Sequence, residues 1–266
     1  MRSVRKITIL LVLVGFAVSF SGCQLMDKLK ARDHLNKGVQ AYSGKRYDEA
    51  IEEFKAAIEL DPTLKDGILY LATAYRAQFV PLVTTPDNLR KGQEAIATFE
   101  KVLELDPQNY NAMASIADMY RNMNDPDNAK VWYLKIGEYE EHRAEALYGI
   151  GVINYNLSEE KTGKDGENIE NLTEEELAEI NQLVDDGIDY LKQSLEVNPD
   201  YSDAMEYLNL LYREKAELAV DEEEKDNWLK EADMLALRAL EKKRELQRRE
   251  EEARRKIFSG ESTEEQ

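Results

Sequence analysis

An all-α solenoid of about five helix pairs, with two insertions inside repeats and a long C-terminal helix, is the fold this sequence predicts. Three observations carry that expectation. Apolar residues recur at a 3.6-residue period in short stretches, as in Ala50, Ile51, Phe54, Ala57 and Ile58. The stretches come in pairs, and three of the pairs close on Asp61-Pro62, Asp106-Pro107 and Asn198-Pro199. With 42% apolar residues and only 6 prolines and 13 glycines in 266, the chain can fill a core and has little compositional reason for disorder.

The stretch from Ala31 to Leu64 shows the unit most clearly. Leu35, Gly38, Val39 and Tyr42 lie on one helical face, and Tyr47, Ala50, Ile51, Phe54, Ala57, Ile58 and Leu60 on the next, joined at Gly44-Lys45-Arg46. Neither helix can bury its stripe alone, so each needs its partner and then another pair beside it. With small residues at Gly38, Ala50 and Ala57, aromatics at Tyr47 and Phe54, and Pro62 at the close, the stretch resembles a tetratricopeptide repeat (TPR). The resemblance implies a right-handed superhelix with a concave groove lined by the first helix of each unit.

A second unit spans 65–109. Ile68, Leu71, Ala72 and Tyr75 form its first helix, and Ala95, Ile96, Phe99, Val102, Leu103 and Leu105 its second. Ala95 arrives later than a 34-residue period allows. The extra RAQFVPLVTTPDNLRK is too apolar at Phe79, Val80, Leu82 and Val83 for a plain loop. The first helix is expected to run to Phe79, the loop to fold back over the end of the pair, and Thr85 to cap a helix opening at Pro86.

The third unit, 110–143, carries Met113, Ile116, Ala117 and Tyr120, then a turn from Asn122 to Asn128, then Ala129, Trp132, Tyr133 and Ile136. In the fourth, 144–201, Leu147, Ile150, Gly151 and Tyr155 precede a second insertion, Leu157 to Gln182. Its polar half, SEEKTGKDGENIEN, reads as mobile. Thr173 with Glu176 three residues on is a capping box, so the partner helix with Leu183, Gly187, Ile188 and Leu191 starts early, near Glu174. The fifth, 202–240, has Ala204, Met205, Leu208, Leu211 and Tyr212, a charged turn Asp221 to Asp226, then Trp228, Leu229, Ala232, Leu235, Ala236 and Ala239. Residues 241–266 thin to Leu246, Ala253 and Ile257 among charges, a helix that caps the stack and projects, with a frayed tail from Ser259.

The first 22 residues stand apart. Arg2, Arg5 and Lys6 precede the apolar run Ile7 to Phe20 and then Ser21-Gly22-Cys23, a secretory signal in form. Its end resembles a bacterial lipobox, which implies lipidation of Cys23, with Gln24 favouring the outer membrane and a periplasmic chain, and 23–30 as a short linker. The same segment also reads as an ordinary signal with a stray cysteine, or as an uncleaved anchor.

Composition narrows the chemistry. A net charge of −19 argues against nucleic acid, which demands a dense basic surface. One cysteine and two histidines, His34 and His142, leave no set for an intramolecular disulfide or a Cys/His metal centre. The carboxylates come in runs such as Glu174-Glu175-Glu176, solvated faces unlike the isolated acids of a dry catalytic pocket. There is no Gly-rich phosphate loop and no nucleophile with a base at motif spacing. The chain is therefore expected to be no enzyme and to use no cofactor and no metal.

By position in the TPR resemblance, the groove would be lined by Leu35, Val39 and Tyr42; Leu69, Thr73 and Arg76; Asn111, Ala114, Asp118 and Arg121; Glu145, Tyr148, Val152 and Tyr155; and Glu206, Leu210 and Arg213. Leu35 and Val39 stand where a chaperone-tail clamp needs Lys and Asn, so that mode is not expected. Arg76, Asn111, Arg121, Tyr148, Tyr155 and Arg213 are the candidate residues for gripping a protein or peptide, with arginines to pair carboxylates and tyrosines to supply contact area. The competing expectations are that Arg76 and Arg121 merely neutralise neighbours, that the chain assembles through its C-terminal helix, or that the tyrosines bind sugar.

Overall fold

The structure, a computed structural model, describes residues 25–259, with side chains to Lys256. The signal segment, Cys23 and Gln24, and the tail after Ser259 lie outside the described residues. Every regular element among the described residues is helical: α1 (25–43), α2 (Tyr47–Leu60), α3 (Lys65–Gln78), α4 (Pro86–Leu105), α5 (Tyr110–Asn122), α6 (Pro126–Gly137), α7 (Arg143–Thr162), α8 (Glu174–Val197), α9 (Ser202–Leu218) and α10 (Glu222–Ser259), with short 3-10 turns at 140–142, 164–166 and 169–171. The fold is an all-α TPR-type solenoid. Residues 25–30, expected as a linker, are the opening turns of α1.

Turns repeat as faithfully as helices. Asp61, Asp106 and Asn198, each followed by proline, end α2, α4 and α8 with a backbone N–H donating to the carbonyl four residues back, at 2.8–3.0 Å. Each residue then accepts from the N–H three residues on, Leu64, Asn109 and Tyr201, which aims the chain into the next helix. Proline fits the position after the cap because it cannot continue a helix. At the other kind of turn, Lys45 and Asn124 adopt left-handed φ of 59° and 60°. The residues after them, Arg46 and Asp125, donate to the carbonyls of Ala41 and Tyr120 at 2.9 Å, satisfying orphan acceptors at the helix end.

Two compact units divide at Ala129 and Lys130. In the N-terminal unit, Ala50, Ile51 and Phe54 of α2 pack with Ala41 of α1 and with Leu71 and Ala74 of α3, all buried. The Phe54 ring lies where a side chain on Gly38 would be, so the close approach of α1 to α2 needs glycine there. In the C-terminal unit, Ile180, Val184, Ile188 and Leu191 of α8 meet Ala204, Leu208, Leu211 and Tyr212 of α9 and Ala232 of α10. Ala50, Ala95, Ala129 and Ala232, the small positions of the repeats, are all fully buried.

The first insertion is a tied loop. α3 ends at Gln78, and Phe79 is buried while Val80, Leu82 and Val83 are exposed. Buried Asn88 holds the loop from within: its amide accepts from Val80 N–H and donates to the carbonyls of Val80 and Val83 at 2.7–2.8 Å. Leu82 N–H donates to Asn122 at the end of α5. Thr85 caps α4 through Asn88 N–H, with Pro86 at the first helical position.

The second insertion departs from expectation. The polar stretch 158–171, read as mobile, is ordered: α7 runs to Thr162, stops at Gly163 with φ of 75°, and two 3-10 turns follow. Ser158 and Thr162 are buried and bond to α9, which is why α7 continues through residues that look like a loop. The capping box at Thr173 and Glu176 is formed, and α8 is 24 residues long. A second correction falls at Asp221 to Asp226. Apart from Asp221 this is the first turn of α10: Asp221 accepts from Glu224 N–H at 2.9 Å, and Glu222, Glu223 and Glu224 sit at the positive end of the helix dipole.

Candidate functional site

In the N-terminal unit the expected residues share a face. On α5, Asn111, Ser115, Asp118 and Arg121 recur at three- and four-residue spacing, so they form one stripe. Arg76, exposed near the end of α3, reaches this stripe and donates from Nη1 to Ser115 Oγ at 3.3 Å. Arg121 pairs with Asp118 at 3.0 Å, both about two-fifths exposed. Asn111 is exposed one turn into the helix. The result is a polar surface across two adjacent first helices, with arginine at two points and Ser115 buried beneath them. Leu35, Val39 and Tyr42 of α1, expected in the lining, instead pack half-buried against the core. His34 lies in the middle of α1, and its Nδ1 meets Glu53 Oε2 on α2 at 2.7 Å.

In the C-terminal unit the tyrosines are bound to one another. Tyr148 of α7 packs against Tyr201 and Tyr207 at centroid distances of 5.0 and 5.6 Å, and Tyr155 packs edge-on against Tyr207 at 5.6 Å. Burial, and then the nearby Glu159 carboxylate, push the Tyr155 phenol well above its ordinary range. These rings are half-buried and pack α7 against α9, so Tyr148 and Tyr155, candidates for gripping a partner, also belong to the seam between the two helices. Val152 is buried as well. Arg213 donates to Asp233 at 2.6 Å and to Asn209 at 3.1 Å.

Sequence reasoning passed over a buried polar seam beside these rings. Glu214 of α9 is 5% exposed and lies 2.7 Å from Ser158 Oγ and 3.0 Å from Thr162 Oγ1 of α7. Asn154, one turn before Ser158, is also buried. Burial raises the Glu214 carboxyl above its usual range; the two hydroxyls pull it back, and Glu217 and Glu159 push it further up. The spacing Asn154, Ser158, Thr162, four residues apart on one face, was the available signal. Among the described residues, no group of three or more His, Cys, Asp or Glu is placed to hold a metal ion.

Tetratricopeptide-repeat family models match residues 31–64, 87–109 and 110–141. The chain carries tetratricopeptide repeats. Among solved structures it is similar to MamA, at a TM-score of 0.53 and 16% identity over 81% of this chain and 92% of that one. MamA from Desulfovibrio magneticus RS-1, residues 41 to the end, gives the same TM-score and identity over 81% and 96%. At that identity the likeness establishes the fold alone. No curated protein matches the sequence.

Proposed function

We propose that this TPR chain is a non-enzymatic protein-binding scaffold held at the bacterial cell envelope, taking a protein or peptide partner on the exposed faces of its first helices. The observation that supports it most is the α3–α5 surface. In a chain of net charge −19, Arg76 stands exposed beside Asn111, Ser115 and the Asp118–Arg121 pair, where it can meet a partner carboxylate in charge-assisted contact. Repeated helix pairs suit such binding because they present an extended surface on a rigid core. A pull-down from the native envelope supplies the partner. Arg76→Glu is expected to weaken its binding at least tenfold, about 1.4 kcal/mol, with helical circular dichroism and melting unchanged. Parent-like affinity would remove the α3–α5 face from consideration.

A second reading draws on α10, whose 38 residues include exposed Leu237, Leu240 and Leu246. In that reading the chain assembles through this helix with no defined ligand on its first helices. Truncation after Leu240 would then abolish complex recovery, while Arg76→Glu would leave it intact.

Anchoring rests on sequence: the charged start, the apolar run Ile7 to Phe20, and Ser21-Gly22-Cys23, with Gln24 favouring the outer membrane and a periplasmic location. No helix among the described residues is long and apolar enough to cross a membrane. Cys23→Ala is expected to move the protein from the membrane to the soluble fraction or to stall it as a larger precursor. An unchanged size and membrane fraction would exclude a lipid on Cys23.

A further inference from the structure

We propose that the first two turns of α1 lie against a phospholipid bilayer surface, so that the protein sits on the membrane by a shaped contact as well as by its anchor. The proposal rests on the envelope-anchoring reading and goes beyond it by naming the surface that touches lipid. Leu25, Met26 and Leu29 are 64%, 54% and 56% exposed. At 3.6 residues per turn they fall within an arc of about 100° on one side of the helix. Ala31, on the opposite side, is buried against the fold at 1% exposure, so the apolar arc points away from the protein.

Three cations border the arc. Lys28 and Arg32 stand along one edge and Lys30 beyond the other, all exposed, and Asp27 is the one acid among residues 25–32. Long basic side chains can lay their methylenes beside buried apolar groups while their heads stay among phosphates. This local positive charge occurs in a chain whose net charge is −19, whose other surfaces an anionic leaflet would repel. Position supports the same occupant. Cys23 stands two residues before Leu25 in sequence, so a lipid carried on it delivers this arc to the headgroup layer. A stripe of three apolar residues gives weak affinity by itself, which suits a contact that orients an already tethered domain.

Two methionines make the test internal. Met26 and Met234 of α10 are 54% and 55% exposed, so hydroxyl radicals should oxidise them at similar rates in water. The full-length protein in vesicles of phosphatidylethanolamine and phosphatidylglycerol is expected to show Met26 oxidation at least fivefold below Met234. A Leu25→Asp/Leu29→Asp variant should still sediment with the vesicles while the ratio returns to near one. Sedimenting parent protein with equal oxidation of the two methionines would overturn the proposal and leave the anchoring reading standing. Failure to sediment would overturn both. Met26 protection that disappears on tenfold dilution of protein in lipid would mean that a second copy covers the arc, and would overturn the proposal too.

Discussion

Replacing Gly187 with leucine is expected to cost the C-terminal unit about 3 kcal/mol or somewhat more, the upper end of what over-packing a tight core costs. Gly187 lies inside α8 at the level where α7 and α9 both approach it. A bare Cβ there would stand 2.8 Å from Leu211 Cδ1 and 3.1 Å from Asn154 Cβ. Leu211 is fully buried and Asn154 is 1% exposed, so neither side chain has room to swing aside. Leucine is a better helix former than glycine by up to about 1 kcal/mol, which offsets only a minor part. For a chain of this length each kcal/mol lowers the midpoint by roughly 2–4 °C. Ala129→Leu, at a position that already accommodates a methyl group, should cost less, about 1–3 kcal/mol. Gly44→Leu is the control, because the nearest atoms to its Cβ position are 3.4 Å away in an exposed turn. A Gly187→Leu protein that melts with the parent would mean that α8 does not sit between α7 and α9 in this register.

That prediction is legible in the sequence because the repeat pattern puts Gly187 in α8 at the position that Ala50, Ala95, Ala129 and Ala232 hold in the other units. Local rules carried most of the fold: the apolar period, the Asp-Pro and Asn-Pro closures, and the Thr173 capping box all depend on residues within a few positions of each other. What escaped depended on partners far along the chain. Ser158 and Thr162 looked like loop residues because their hydrogen-bond acceptor, Glu214, lies 56 and 52 residues away. Tyr148 and Tyr155 looked available for a ligand because the rings they pack against, Tyr207 on α9 and Tyr201 just before it, are more than 45 residues away in sequence. The run Asp221 to Asp226 was misread for a different reason, since acidic residues mark a solvated turn and a helix start equally well. Asn111 and Arg121 were legible on one side of α5 because helical spacing alone sets it, and Arg76 of α3 reaches that helix at Ser115. The Asp118 pairing of Arg121, weighed as neutralisation, is formed, and Arg76 keeps the more open position.

Glu214→Gln is expected to stabilise the C-terminal unit at neutral pH and to lose that advantage in acid. The seam between α7 and α9 has too few protons for a charged glutamate. Ser158 Oγ lies within bonding distance of both Glu214 Oε2 and the Tyr155 carbonyl, and Thr162 Oγ1 of both Glu214 Oε1 and the Ser158 carbonyl. Each hydroxyl has one proton to donate. An ionised Glu214 must take both protons from the helix carbonyls, whereas a protonated one donates its own to one hydroxyl, which then keeps its carbonyl bond, and leaves only the other hydroxyl shared. Burial acts in the same direction, and Glu159 and Glu217 add like charge. Glu217 is itself held high, by burial and then by Asp165. A carboxyl raised in the folded chain binds its proton more tightly there than in the unfolded chain. Its contribution to stability is therefore complete below the unfolded value, near 4.3, and is lost as pH rises through the folded one. Glutamine keeps an acceptor and two donors in the same shape without the titration. The gain at pH 7.5 should be on the order of 1–3 kcal/mol, the cost of a poorly satisfied buried polar group, and should shrink toward zero near pH 4. The difference between variant and parent is the quantity to follow, because exposed carboxylates held low by their partners, such as Asp33 by Lys37 and Asp200 by Lys242, destabilise both proteins equally in acid. Urea midpoints of the two proteins at half-unit intervals from pH 4 to 8 would give the curve. A constant difference across that range would show that Glu214 does not change its charge within it.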